Sequence, residues 1–464
     1  MKRCLSIALL LATGCASGPP AIDAPVAESI NTKPASNAAN VSLAGYDESA
    51  EELAQPPAML EPVAAAAVEL TTRDVLTAES LETRALENNP AVSQATARVQ
   101  ALRGKWVQVG LPPNPTVGYV AGEIGNEGGT GQQGGFVGQQ FITGKKLSRS
   151  RAVVSAEITR AEQELAAVQR RVQTDVRRSY YDALLAQRRV SLADELVRVT
   201  SEAVTASKAL VEAKEVPLAG LLQTEVQQQD ATLLLQTAQN RLAQAWRNLA
   251  AVVGEPGLTI RPLSGDVDKL PAMLGWEKQL ARLQSQSPEV AAAMAEVERA
   301  RRALSRARVE AVPNINTQVS VQYDDATEDT IAGVQVGVPL PIWNRNQGGI
   351  RQAKAEICEA LRNADRVELD LHRRLADAFR QYSDAHATAQ AYADGILPRS
   401  AQTLELVRSA FDQGELGYLE LLTAQRTYSQ TNLSYLDALS VLWSSYVQID
   451  GLLLEGSLSE PLRR

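Results

Sequence analysis

The chain has 464 residues, with 46 lysines and arginines against 54 aspartates and glutamates, a net charge of −8 and only 4% aromatic residues. An acidic balance with no basic patch excludes the electrostatic footprint of a nucleic-acid binder. Heavy use of Ala, Leu, Gln, Glu and Arg suits long helices, and the length allows two or more domains or one elongated one.

Residues 1–14 read as an export signal: Lys2 and Arg3, a short apolar run, then small residues before Cys15. The run is too short to cross a bilayer as a helix. Ala12-Thr13-Gly14-Cys15 resembles a bacterial lipoprotein cleavage box, although Ala12 stands where that box usually carries leucine. Cys15 is then the lipidated first residue of the mature chain. Ala16 follows it instead of a retaining aspartate, so the destination is the outer membrane. An ordinary signal peptide cut elsewhere in this Ala/Ser/Gly-rich stretch is the alternative. Residues 15–70, rich in Ala, Pro, Ser and Asn, read as a lipidated flexible linker. Cys358 would be the one cysteine left in the mature body, so no internal disulfide framework is expected. His372 and His386 have no second ligand at metal spacing, and neither a metal nor a cofactor is expected.

Two structural repeats follow, over 71–262 and 263–455, with a tail at 456–464. Each opens with a pair of helices broken at a proline. In the first, Thr77 is a cap, Asn88-Asn89-Pro90 divides the pair, and the second helix runs to about Val109. In the second, a helix through 274–286 meets Ser287-Pro288, and another runs from Glu289 to about Glu310. Gly110-Leu-Pro-Pro-Asn-Pro115 and Ala311-Val-Pro-Asn314 close the two pairs alike, about 200 residues apart, which points to a duplication.

A pair of short strands comes next in each repeat. Val319, Val321 and Tyr323 alternate with Gln318, Ser320 and Gln322, and Val334, Val336, Val338 and Leu340 alternate with small or polar residues. The strands are predicted at 116–123, 136–142, 316–323 and 333–340, the first pair with weaker alternation. A small soluble sheet with one buried face is one reading; membrane strands with an apolar lipid face are the other. Four strands cannot close a barrel, so a barrel has to be shared between copies of the chain.

Long helices follow. From 145 to 215 a continuous helix is predicted, on the order of 100 Å long at about 1.5 Å per residue. In the second repeat the apolar series Ala353, Ile357, Leu361, Ala364, Val367, Leu371, Leu375, Ala378, Tyr382, Ala385, Ala389, Tyr392, Ile396 keeps the coiled-coil period. Pro398 should kink that helix or shift its register. The pairs Arg170-Arg171, Arg177-Arg178 and Arg188-Arg189 read as solvated helix face. Each long helix turns back at a hairpin: around Val216-Pro217 in the first repeat and around Gly414 to Gly417 in the second. The returning helices end at Gly254 and near Gly451.

Gly337-Val-Pro-Leu-Pro-Ile-Trp-Asn-Arg-Asn-Gln-Gly348 and the stretch from Ala410 through Gly414, Gly417 and Leu422 to Ala424 resemble the TolC family of outer-membrane efflux channels. Asn88-Asn89-Pro90 and Leu111-Pro-Pro-Asn-Pro115 add to the likeness, which is greatest to the CzcC-type heavy-metal-efflux branch. The resemblance implies a mainly α fold: a long helical coiled-coil barrel, with four strands per chain contributing to a trimeric, twelve-stranded membrane β-barrel. It implies a homotrimer in the outer-membrane lipid that conducts passively, served by a periplasmic adaptor protein and an inner-membrane pump of the resistance-nodulation-division type. It places Glu420 in an acidic ring at the periplasmic entrance, with Thr423 where some relatives carry a second acid. The first-repeat counterparts, Gly220 and Gln223, are uncharged. Gly414, Leu416, Gly417, Leu421, Leu422, Val216, Pro217 and Leu221 are expected to form the hairpin tips on which the adaptor docks. No nucleotide-binding loop or catalytic constellation supports an enzyme. Drug efflux and type I protein secretion compete with metal export, and a periplasmic coiled-coil scaffold is the reading from another class.

Overall fold

The computed structural model describes residues 76–125, 129–214 and 216–458. The export signal, the linker and Cys15 lie outside them. Two short helices open the described chain, α1 (Ala78–Asn88) and α2 (Pro90–Gln108). Thr77 caps α1 by accepting from the Ser80 N–H, and Asn89, fully buried, caps α2 by accepting from Ala91. Each supplies a side-chain oxygen to a helix N–H that has no intrahelical partner. Strands β1 (Thr116–Gly122) and β2 (Gln132–Phe141) follow, then α3 (Lys146–Glu212) and α4 (Leu218–Val253). The same order returns as α5 (Trp276–Gln286), α6 (Pro288–Val309), β3 (Ile315–Asp324), β4 (Asp329–Gly337) and α7 (Gln347–Ala391). A π-helical turn at Tyr392–Ile396 leads into α8 (Leu397–Asp412), and α9 (Tyr418–Asp450) returns.

The four strands make one antiparallel sheet in the order β1-β2-β3-β4. Two strand boundaries differ from the sequence expectation. β2 begins at Gln132, four residues before Phe136, because the glycines there let backbones meet: a Cβ on Gly134 would lie 2.0 Å from the Val321 carbonyl oxygen. A pairing strand on each side overrides the poor β-propensity of Gln132-Gln-Gly-Gly135. β4 spans 329–337 and not 333–340; Pro339 and Pro341 have no N–H to donate to a ladder, so pairing stops at Gly337.

α3 runs unbroken for 67 residues, about 100 Å at 1.5 Å per residue. In the second repeat Pro398 does change the register. Its missing N–H coincides with a widened turn in which the Leu397 N–H reaches back to the Tyr392 carbonyl. The buried seam of α7 is Ala353, Ala360, Ala364, Leu371, Leu375, Ala378, Tyr382, Ala385 and Ala389. Ala360 replaces the expected Leu361, which lies one residue off the seam and is exposed, as is Ile396.

Most of the core surrounds the middle of α3, α7 and α9, where the two repeats contribute matched anchors. Tyr180 and Tyr382 are buried in α3 and α7; their hydroxyls donate to the carbonyls of Ser264 and Ala272 respectively. Burial pushes the Tyr180 hydroxyl up to about 12, so it stays a neutral donor. Trp246 of α4 and Trp443 of α9 each donate their indole N–H to a loop carbonyl, Leu258 and Val267. The arginine pairs are not simply a solvated face: Arg177 bridges Glu82 of α1 and Asp450 of α9, and Arg189 pairs with Asp437. Residues beyond α9 also dock, the N–H groups of Gly456 and Ser457 donating to the Asp175 carboxylate at 2.9 and 2.6 Å.

Candidate functional site

Two surfaces concentrate what this chain offers to its surroundings. The first is the sheet. Its register places Val117, Val137, Val319 and Val334 side by side, one from each strand. All four are between 50% and 76% exposed, whereas the alternate row, Gly118, Phe136, Ser320 and Gly333, is half-buried. The next apolar row holds Tyr119 and Val321, again exposed, while Gln318 and Gln322 lie on the sheltered face. A small soluble sheet would bury the valines and expose the glutamines. Here the valines are exposed and Gln318 and Gln322 are half-buried, as on a strand whose apolar face meets hydrocarbon. β1 and β4 are edges whose outer backbone groups have no strand partner among the described residues. Unsatisfied edges are not tolerated in lipid.

The second surface is the pair of hairpin tips. α8 ends at Gly414, φ +76°, with the Glu415 N–H bonded to the Ala410 carbonyl and the Gly414 N–H to the Phe411 carbonyl. That crossed pair satisfies the last carbonyls of the helix and requires a left-handed residue at position 414. Lys214 takes the same place after α3, with φ +61°, and Pro217 precedes α4 as Gly417 precedes α9. Phe411 and Tyr418 face each other across the second turn with ring centroids 5.7 Å apart. The Tyr418 hydroxyl is buried beside Ser207 of α3 and Thr224 of α4, which joins the two hairpins near their tips; burial raises its pKa.

Glu420 is the acid in the first turn of α9 and is exposed. Its side chain folds back toward the helix start, Oε2 lying 2.8 Å from where a Cβ on Gly417 would be. There the partial positive charge of the helix N-terminus favours a carboxylate. It also borders a cleft of about 400 Å³ between α8 and α9, walled by Ser400, Thr403, Val407, Leu419 and Thr423. The first turn of α4 has no acid, and Gly220 and Gln223 stand at the corresponding level.

The expected tip residues divide into two groups. Gly414, Leu416, Gly417 and Pro217 are exposed, and Val216 and Leu221 are half-buried. Leu421 and Leu422 are buried, Leu422 at 3% exposure, so they pack the hairpin from within and present nothing to a partner in this chain. Sequence reasoning passed over the exposed apolar residues Leu218, Leu222 and Leu419. The spacing of Leu218, Leu222 and Val226, one turn apart on α4, was the available signal. His372 hydrogen-bonds Gln284, and His386 hydrogen-bonds the Pro271 carbonyl and packs against the Tyr382 ring; no group of metal-ligating side chains occurs among the described residues. No described helix is long and apolar enough to cross a membrane.

An antiparallel sheet with an open apolar face, joined to two long helical hairpins, defines a channel subunit of the TolC-like class. The chain belongs to the outer membrane efflux protein family, whose sequence model matches residues 81–255 and 280–453. Members of this family are channels, not enzymes. The chain is 29% identical over 384 residues to the cobalt-zinc-cadmium resistance protein CzcC of Cupriavidus metallidurans, covering 82% of this chain and 90% of that one. It is 24% identical to the cation efflux system protein CusC of Escherichia coli K12, covering 77% of this chain and 82% of that one. Among solved structures, the outer-membrane channel OprN superposes with a TM-score of 0.67 at 17% identity, covering 82% of this chain and 90% of that one. The open state of the MtrE outer membrane channel of Neisseria gonorrhoeae gives 0.65 at 17% identity, with the same two coverages of 82% and 90%. These structures share the fold.

Proposed function

We propose that this chain is the outer-membrane subunit of a tripartite efflux system, a homotrimer that conducts passively what an inner-membrane pump delivers through a periplasmic adaptor. The observation that carries the reading is the exposed valine row on a four-stranded sheet with two open edges. Three copies would pair those edges and close one barrel, placing the valines toward lipid. The likeness to a cobalt-zinc-cadmium resistance protein and a cation efflux protein supports divalent metal cations as cargo and a pump of the resistance-nodulation-division type. Residues 71–262 and 263–455 are then two repeats of one channel-wall unit, and Cys15 carries a lipid that holds the mature N-terminus at the same membrane. Removing the gene from its host should lower resistance to cobalt, zinc and cadmium and leave drug resistance unchanged. Loss of drug resistance alone would redirect the cargo, and loss of a secreted protein would point to type I secretion. Mass spectrometry of the mature N-terminus tests the lipid, an unmodified start beyond residue 16 removing it.

At the entrance, three copies of Glu420 form a ring that attracts cations. Gly414, Leu416, Gly417, Val216, Pro217 and Leu221 shape the tips that meet the adaptor, with Leu421 and Leu422 bracing them from inside. Glu420→Gln should reduce the cation preference of single channels in planar bilayers and leave trimers intact. Unchanged selectivity would sink the ring. Loss of an adaptor cross-link instead would move Glu420 to the docking surface.

A further inference from the structure

The helix-facing end of the sheet differs from its loop end in two independent ways. First, the apolar face of β4 does not stop where its ladder stops. Val334 and Val336 are continued by Val338, Leu340 and Ile342 at the same spacing of two, all exposed, and Trp343 closes the series at 86% exposure. The two prolines between them keep the segment extended without strand pairing. A tryptophan so open to solvent is costly in water and suits the boundary between hydrocarbon and water, where its ring is buried and its N–H stays wet.

Second, basic residues collect at this end and acidic ones at the other. Lys145 precedes α3, Arg308 lies in the last turn of α6, and Arg345 and Arg351 flank the start of α7. All four are exposed with no acidic partner among the described residues. The strand register puts these helix ends beside one another, since Phe141 pairs with Ile315 and Asn316 with Gly337. At the opposite end stand Glu123, Asp324, Asp325, Glu328 and Asp329, with no lysine or arginine. In a chain of net charge −8, a basic collar confined to one margin of an apolar band needs a counter-charge outside the chain.

We propose that Leu340–Trp343 and the collar of Lys145, Arg308, Arg345 and Arg351 form a phospholipid-binding surface. The tryptophan and its apolar neighbours enter the membrane boundary, and the cations hold the phosphates of the inner leaflet of the outer membrane. The surface fixes how deep the barrel sits and keeps the hairpins clear of the lipid. The occupant is lipid and not a second copy of the chain, because the apolar series is continuous with the outward valine face and the acid at this margin, Glu310, is already paired with Arg306, leaving the four collar cations to repel their counterparts in an identical copy. The inference rests on the outer-membrane reading of the sheet.

The test uses the full-length protein in bilayers of phosphatidylethanolamine and phosphatidylglycerol brominated either near the headgroup or near the acyl-chain ends. Trp246 and Trp443 are buried and Trp276 is half-buried, but Trp106 near the end of α2 is 37% exposed. The measurement is therefore made in a Trp106→Phe background, where lipid quenching should come mainly from Trp343. Headgroup-proximal bromine should quench more strongly, and Trp343→Phe should remove about half or more of the quenchable emission while trimers still conduct. Combined Lys145→Gln, Arg308→Gln, Arg345→Gln and Arg351→Gln should reduce the phosphatidylglycerol retained in native mass spectra by about twofold or more. Unchanged quenching in conducting Trp343→Phe trimers would overturn the proposal, as would an inter-protomer disulfide through Trp343→Cys. A wild-type protein that neither inserts nor conducts would remove the outer-membrane reading itself, and this surface with it.

Discussion

The two long hairpins start from similar sequence patterns and reach different continuity. In the first, α3 passes through the core and on to the tip without interruption; in the second, the path is divided into α7, a π-helical turn and α8. Their anchors nevertheless match. Tyr180 and Tyr382 reach loop carbonyls, Trp246 and Trp443 do the same from the returning helices, and Lys145 and Asn346 enter the long helices with φ near +56°. The points where helices are tied to the core match in the two halves of the described chain, while the backbone between the core and one tip differs, with Pro398 beside the π-turn. A π-turn adds a residue to the helical circuit, so everything beyond it is rotated relative to a regular helix. Before the turn α7 carries a buried seam, and beyond it the described residues of α8 are half-buried or exposed.

That contrast is open to direct tests. The largest effect should come from giving the first hairpin a proline without a π-turn to receive it. Val176 is fully buried in α3, and Val176→Pro removes a helix bond as well as core packing. The helix term alone costs about 3 kcal/mol or more, and size-exclusion chromatography should find no folded trimer. A folded Val176→Pro trimer would mean that α3 also widens on demand.

Next come the tyrosine anchors. Tyr382→Phe leaves the Ala272 carbonyl and the Leu274 N–H without this partner, and Tyr180→Phe does so for the carbonyls of Ser264 and Leu76. Each should cost about 1–3 kcal/mol, read as a lower thermal midpoint in detergent. Equal losses would confirm that the two tyrosines do the same work in the two repeats.

The tips should respond in opposite senses. Gly414→Ala forces a Cβ into the left-handed region and should destabilise the second hairpin by about 1–2 kcal/mol. Lys214→Gly relieves the same strain in the first and should stabilise it by up to about 1 kcal/mol. Amide exchange at residues 409–413 and 209–213 would report each tip separately. The smallest effect is expected for Pro398→Ala, which returns an N–H to the widened turn. Exchange at 395–397 should slow, with global stability changed by less than about 1 kcal/mol. No local change would show that packing around Tyr392 and Tyr435, and not the proline, sets the π-turn.

Much of this was legible in the sequence because it depends on short-range physics. Thr77 and Asn89 are cap residues, Pro90 and Pro288 sit where helices can begin, and Val319, Val321 and Tyr323 alternate with polar neighbours; each implies its local structure without the rest of the chain. Pro398 likewise announced a disturbance, although not its form. Other features needed the assembled molecule. Gln132-Gln-Gly-Gly135 became part of a central strand only because β1 and β3 flank it closely enough to exclude any side chain from Gly134. Leu421 and Leu422 are indistinguishable from Leu419 by composition, yet the folded chain buries the first two and leaves the third exposed. The arginines of α3 look like a solvated stripe until α1 and α9 bring Glu82 and Asp450 to Arg177. Periodicity tells which residues share a face, since that follows from backbone geometry alone. Which face is covered, and by what, is decided only when distant segments pack, and here that decided both the outward turn of the valines and which tip residues a partner can reach.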